Sequence, residues 1–284
     1  MNKQINITEC PRDAMQGIAQ FIPTEKKVKY LNELLDCGFD TLDFGSFVSP
    51  KAIPQLADTA AVIEKLTLNN TKLLAIIANE RGAKQAADFE QITYLGFPFS
   101  ISETFQQRNT NATIEESLHR VTEIATICAK QNKQLVLYLS MGFGNPYGDA
   151  WSPDMLAEWS YRLTNLFDIQ RISLSDTIGI ATPALVETVF KTIVPAFPKT
   201  EISAHLHALP ENAQLLTEAA YNGGCSYFEG ALKGFGGCPM AKDDLTGNMP
   251  TEKMLDWFLS NAIETGVNME ALLKPLVTVD QLFH

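Results

Sequence analysis

Two of the four histidines in the chain, His205 and His207, stand one residue apart in the run EISAHLH. If that run is a strand, both imidazoles leave the same face, because strand side chains alternate with a period of two. Two imidazoles on one face can grip one metal ion. Asp13, read at the end of another strand, would supply a carboxylate as third ligand. A donor set of nitrogen and oxygen without thiolate suits Mg²⁺ or Mn²⁺ with open water positions better than Zn²⁺. The competing reading is a polar strand end with one histidine packed and the other solvated. Arg12 precedes Asp13, and its guanidinium could stabilise a developing oxyanion. The plainer alternative is a surface ion pair that contributes little.

Other polar residues fall where apolar runs end. Asp43 lies in TLDFG and Ser46 just after it, Asp176 and Thr177 follow RISLS, and CSYFEG contains Glu229. Beyond Glu229 comes FGGCPMAKDDLTGN, a glycine-rich stretch that holds Cys238. The five cysteines are scattered and form no CxxC pair, which argues against a disulfide framework or a structural zinc site. Cys128 falls on the apolar stripe of a helix and reads as a small buried hydrophobe. Cys238 is the exception, because a loop built from glycines is able to move.

The elements that would position these residues alternate along the chain. Strands are predicted at 5–10, 41–45, 72–78, 91–96, 134–140, 171–175, 201–207 and 225–230. Helices are predicted at 24–37, 81–88, 113–130, 152–165, from 183 and over 211–221, with another opening at Pro250. Thr24 is the expected N-cap of the first of these helices. Such alternation implies parallel strands joined by right-handed crossovers. Eight such units predict an α/β fold, a single (β/α)8 TIM barrel spanning 1–284 with a helical extension from about 265. The alternative is a doubly wound open sheet, but no GxGxxG follows the first strand, so dinucleotide binding finds no support. In a parallel barrel the functional residues sit at the C-terminal ends of strands, where the polar residues above are read.

Bulk properties exclude several classes. The net charge of −11 argues against nucleic acid as a partner, which needs clustered Lys and Arg. No apolar run approaches the roughly 18 residues of a membrane span. The polar start MNKQINITECPRD lacks the apolar core of a signal peptide. A cytoplasmic location is the expectation.

Taken together, the motifs resemble the 3-hydroxy-3-methylglutaryl-CoA lyase family, within the wider group of metal-dependent barrel lyases and condensing enzymes. PRDAMQ (11–16), SFVSPKAIPQLAD (46–58), SLSDTIGIATP (173–183), HLH (205–207) and GFGGCPMAKDDLTGN (234–248) carry the resemblance, in order and over nearly the whole chain. It implies that Asp13, His205, His207 and Asn248 bind a divalent cation, and that Arg12 stabilises a thioester enolate. It implies that Cys238 transfers a proton under a closing loop, and that acetyl-CoA and acetoacetate are released. Gln16, Asp43, Ser46 and Thr177 become candidate substrate contacts, and Arg108 and Asn109 candidates for the CoA phosphate or adenine. A homodimer is the family's expected assembly. Four departures stand out. Ala208 follows the His pair where the family carries Asp, Asp43 stands where Glu is expected, Ala14 replaces Gly, and GIAQF (17–21) replaces a lysine-bearing stretch. They leave open a related aldol- or Claisen-type enzyme acting on another acyl-CoA or 2-oxo acid.

Overall fold

The computed structural model describes residues 4–167, 169–237 and 246–283. Eight parallel strands close into a barrel in sequence order. They are β1 (Asn6–Glu9), β2 (Thr41–Ser46), β3 (Lys72–Ile76), β4 (Ile92–Ser100), β5 (Gln134–Ser140), β6 (Arg171–Asp176), β7 (Glu201–Leu206) and β8 (Tyr227–Gly230). The barrel shuts where β1 pairs β8, from Asn6 opposite Tyr227 to Glu9 opposite Gly230. The expected TIM barrel is therefore the observed fold.

Two apolar layers build it. The larger lies between the strands and the surrounding helices and includes Ile7, Phe44, Phe97, Phe99, Leu137 and Phe228. Each fully buried side chain of this size contributes about 1.5–3 kcal/mol. The second is small and fills the barrel itself, with Leu74, Ile76, Tyr94, Val136 and Tyr138. Helix starts are set locally. In α6 (Ile114–Lys130), Thr113 and Glu116 form a reciprocal capping box, which satisfies two end amides at once. In α8 (Pro183–Ala196), Thr182 caps and Pro183 occupies the first turn, where its missing N–H costs nothing.

Four expectations are corrected. Arg12 and Asp13 do not end a strand: they belong to α1 (Pro11–Gln16), a six-residue helix that begins directly after β1. Pro11 fixes φ near the helical value and cannot donate to the sheet, so the strand stops at Glu9. Thr24 does not cap α2 (Thr24–Leu35): it is that helix's first residue, and its hydroxyl bonds Asp58 at 2.7 Å. β4 runs on through Gly96 and Pro98 to Ser100, because Phe97 and Phe99 are fully buried and outweigh those two breakers. A helix not foreseen, α5 (Glu103–Thr110), follows it, with Ser102 as N-cap.

At the other end of the chain, α10 (Thr251–Ser260) and α11 (Leu273–Phe283) pack against the body. Phe283 stacks edge-on against Tyr30 of α2. Among the described residues, no helix is long and apolar enough to cross a membrane.

Candidate active site at the barrel mouth

The polar strand ends converge as expected. α1 holds Arg12 and Asp13 over the mouth, both buried. His205 is the penultimate residue of β7 and His207 follows its last residue, Leu206, with the two ring centroids 5.4 Å apart. Asn248 is brought alongside by backbone pairing: it bridges His207, while Met249 N–H donates to Leu206 and Ala208 N–H to Gly247. Ligand atoms of Asp13, His205 and His207 lie within 4.8 Å of one another. The Asn248 amide nitrogen donates to Asp13 Oδ2 and to Phe235 O, each at 2.9 Å.

Two buried atoms in this cluster lack a hydrogen-bond partner among the described residues: His207 Nδ1 and Asn248 Oδ1. Buried polar atoms are seldom left orphaned. A cation held by one carboxylate, two imidazoles and an amide oxygen fits this set. Burial and the neighbouring His205 push His207 down to about 4, so its imidazole is neutral near pH 7, the form that binds metal. Burial would raise Asp13, but Arg12 and the two histidines outweigh it and hold it at about 2.

Glu229 orients His205. Its Oε2 lies 3.1 Å from His205 Nδ1, while its Oε1 accepts from Ser173 Oγ at 2.7 Å and Ser203 Oγ at 2.6 Å. Burial alone would lower His205, but this hydrogen bond and charge raise it. With Nδ1 turned to the carboxylate, Nε2 is the nitrogen left for a ligand. The carboxylate missing at Ala208 is thus not the one that faces His205 here. Cys10, His205 and Glu229 also offer ligand atoms within 4.8 Å of one another, and Cys10 is wholly buried.

Arg12 is gripped on two sides. Its Nε donates to both Asp43 oxygens (3.2 and 2.9 Å) and its Nη2 to Asp43 Oδ2 at 2.6 Å. Its Nη1 donates to Asp13 Oδ1 at 2.7 Å and Gln16 Oε1 at 3.1 Å. The aspartate at position 43 therefore reaches the guanidinium without the extra methylene of a glutamate. Burial raises Asp43 to about 6 despite Arg12.

A cavity of about 710 Å³ opens above these groups, lined by Arg12, Asp13, Gln16, His205, His207, Thr177 and, further out, Arg108 and Asn109. Asp43 and Ser46 do not line it. Asp43 reaches it through Arg12, and the Ser46 hydroxyl donates to Ile76 O while accepting from Val48 N–H. Thr177 Oγ1 accepts from Met141 N–H at 3.0 Å. The Arg108 guanidinium stands 4.6 Å from the Tyr147 ring centre. The GIAQF stretch gives the entrance an apolar lip: Ile18, Ala19 and Phe21 line the cavity with Ala52, Ile53 and Pro54. Gln55 braces that lip, accepting from Ile22 N–H and donating to Ile18 O and Gln20 O. Cys238 lies outside the described residues. Gly236, just before it, has φ +96°, and a Cβ there would fall 2.7 Å from Asp13 O and 2.8 Å from Asn248 Nδ2. Glycine is what lets this segment press against the ligand cluster.

Sequence reasoning missed the work of Glu229 and its two serines. The signal was present, as a carboxylate in the short strand YFEG and serines at alternate positions of RISLS and EISAH.

The chain was compared with known proteins. It is 33% identical to a hydroxymethylglutaryl-CoA lyase of Bacillus subtilis, over 98% of this chain and 93% of that protein. It is 32% identical to the mitochondrial enzyme of that name from Mus musculus, over 96% of this chain and 83% of that protein. A solved HMG-CoA lyase from Acinetobacter baumannii, in complex with coenzyme A and 3-methylmalate, superposes with a TM-score of 0.91 at 28% identity, covering 99% of this chain and 91% of that one. The HMGL-like family model matches residues 4–279. The family resemblance read from the motifs is borne out, and the chain belongs to the HMGL-like family.

Proposed function

We propose that the protein is a metal-dependent carbon–carbon lyase that cleaves 3-hydroxy-3-methylglutaryl-CoA to acetyl-CoA and acetoacetate. The observation that carries this reading is the cluster of Asp13, His205 and His207 beside Arg12, with Asn248 alongside and its buried amide oxygen without a hydrogen-bond partner among the described residues. Asp13, His205, His207 and Asn248 would hold Mg²⁺ or Mn²⁺, with Zn²⁺ less suited to a mixed nitrogen and oxygen set without thiolate. When bound, the cation supplies Lewis-acid polarisation of the substrate's tertiary hydroxyl and carboxylate.

The chain's own groups do the rest. Asp43 and Asp13 fix the Arg12 guanidinium, so it meets the thioester enolate without reorganising. Gln16, which donates to Asp13 Oδ1 at 2.5 Å, keeps that carboxylate aimed. Thr177 at the cavity wall is a substrate contact, and Asp43 and Ser46 act from behind the wall by positioning. Arg108 and Asn109 lie where the CoA phosphate or adenine would leave the cavity. Cys238 is the proton donor to the enolate carbon.

Purified protein supplied with 3-hydroxy-3-methylglutaryl-CoA and Mg²⁺ should release acetyl-CoA and acetoacetate in equal amounts. Cys238→Ala should lose most turnover while binding Mn²⁺ normally. No acetoacetate from folded, metal-loaded protein would overturn the substrate assignment.

A further inference from the structure

One side chain that lines the cavity carries a hydroxyl used by none of the contacts above. Tyr138, near the end of β5, is 6% exposed and lines the cavity. Its ring stands edge-on to His205, with centroids 5.5 Å apart. Its hydroxyl is buried and has no hydrogen-bond partner among the described residues. Leaving a buried hydroxyl unpartnered is unfavourable, a cost that phenylalanine of the same shape would avoid. Burial, with Glu229 and Asp43 nearby, keeps the phenol protonated. Neighbouring hydroxyls are already engaged: Ser175 Oγ donates to Ser173 O, and Thr177 Oγ1 accepts from Met141 N–H.

Arg12 and Tyr138 line the same cavity. A guanidinium carries five N–H groups. Asp43 takes the one on Nε and one on Nη2, and Asp13 and Gln16 take both on Nη1. Among the described residues, one Nη2 N–H of Arg12 is left over, on a side chain that lines the cavity.

We propose that Tyr138 is a catalytic residue whose O–H, together with the remaining Nη2 N–H of Arg12, receives the thioester oxygen as it becomes an enolate. The substrate named rests on the lyase reading above. In the step, the tertiary hydroxyl passes its proton to a solvent water in the cavity and becomes the ketone of acetoacetate. The C2–C3 bond breaks, and its electron pair moves through C2 to the thioester oxygen. The pair returns when C2 gains a proton and acetyl-CoA forms. Tyr138 keeps its own proton throughout and supplies a hydrogen bond that strengthens as the oxygen gains charge.

The test is Tyr138→Phe, read three ways: cleavage of 3-hydroxy-3-methylglutaryl-CoA, exchange of acetyl-CoA methyl protons with D₂O, and melting of the metal-free protein. Removing one such donor should lower kcat and the exchange rate by about 10²-fold while leaving KM and Mn²⁺ affinity near wild type. The variant's melting temperature should equal or exceed that of wild type. Wild-type cleavage and exchange in Tyr138→Phe would overturn the proposal. So would a lower melting temperature joined to lost Mn²⁺ affinity, which would make the hydroxyl structural. Wild-type protein that exchanges acetyl-CoA protons but cleaves no substrate would sink the substrate assignment alone, and the exchange rate of Tyr138→Phe would still decide the role of Tyr138.

Discussion

At the scale of single residues, the site is a set of charges that hold one another in place. Arg12 lies between Asp43 and Asp13, and Glu229 lies behind His205. Glu229→Gln keeps the shape but replaces the charged acceptor facing His205 Nδ1. It should weaken Mn²⁺ binding about 10- to 100-fold, the usual effect of losing a carboxylate behind a ligating histidine. Paramagnetic resonance of free Mn²⁺ would read this, and wild-type affinity would remove Glu229 from the role of orienting the ring. The clustered residues Asp13, His205 and His207 were legible in the sequence, because histidines at i and i+2 and an Arg-Asp pair after a short apolar run are local patterns, whereas Asn248 was legible only through the family resemblance. Tyr138 was not legible. It sits in the apolar strand QLVLYLS and reads as filling, and only its unpartnered hydroxyl distinguishes it.

At the scale of elements, short-range rules described the barrel well. All eight strands were placed, and their errors are at the ends. The larger misses came where tertiary packing overrode a local signal. Pro98 reads as a stop, but burial of Phe97 and Phe99 carries β4 past it. The turn of helix that presents Arg12 and Asp13 is too short to show any periodicity. The join between β1 and α10 holds a further consequence. Glu9 is wholly buried outside the barrel, accepting from Leu232 N–H at 2.8 Å and from the Thr251 hydroxyl at 2.5 Å. Burial raises it from 4.5 to about 8. The folded state therefore binds this proton more tightly than the unfolded state. Its contribution is complete below pH 4.5 and is lost as pH rises through 8. Glu9→Gln should flatten that loss, which amounts to at most a few kcal/mol. Urea unfolding of metal-free protein at pH 5 and pH 8 measures it. An equal decline in wild type and Glu9→Gln would show that Glu9 is ionised in the folded protein.

At the scale of the whole molecule, stability and chemistry sit at opposite ends of one barrel. The floor is closed by Arg171, at the start of β6, with its side chain 3% exposed. It donates to Glu201 Oε2 at 2.6 Å and Thr41 Oγ1 at 3.2 Å, with its guanidinium carbon 4.5 Å from the Tyr94 ring centre. Removing one partner of a buried ion pair costs about 3–5 kcal/mol, and less where the partners touch water, as Glu201 and Asp40 do here. Arg171→Ala should lower the melting temperature by roughly 5–10 °C and leave kcat/KM near wild type at 25 °C. A large loss of kcat/KM in folded Arg171→Ala would show that the floor and the mouth are coupled.

The mouth itself is tested most directly by titrating metal-free protein with Mn²⁺ while following acetoacetate release from 3-hydroxy-3-methylglutaryl-CoA. Release should be absent at the start, saturate at one Mn²⁺ per chain, and disappear on addition of EDTA. The same titration of His207→Ala should stay flat. Full release from the metal-free protein, or none from protein carrying its Mn²⁺, would contradict a metal-dependent lyase built on Asp13, His205, His207 and Asn248.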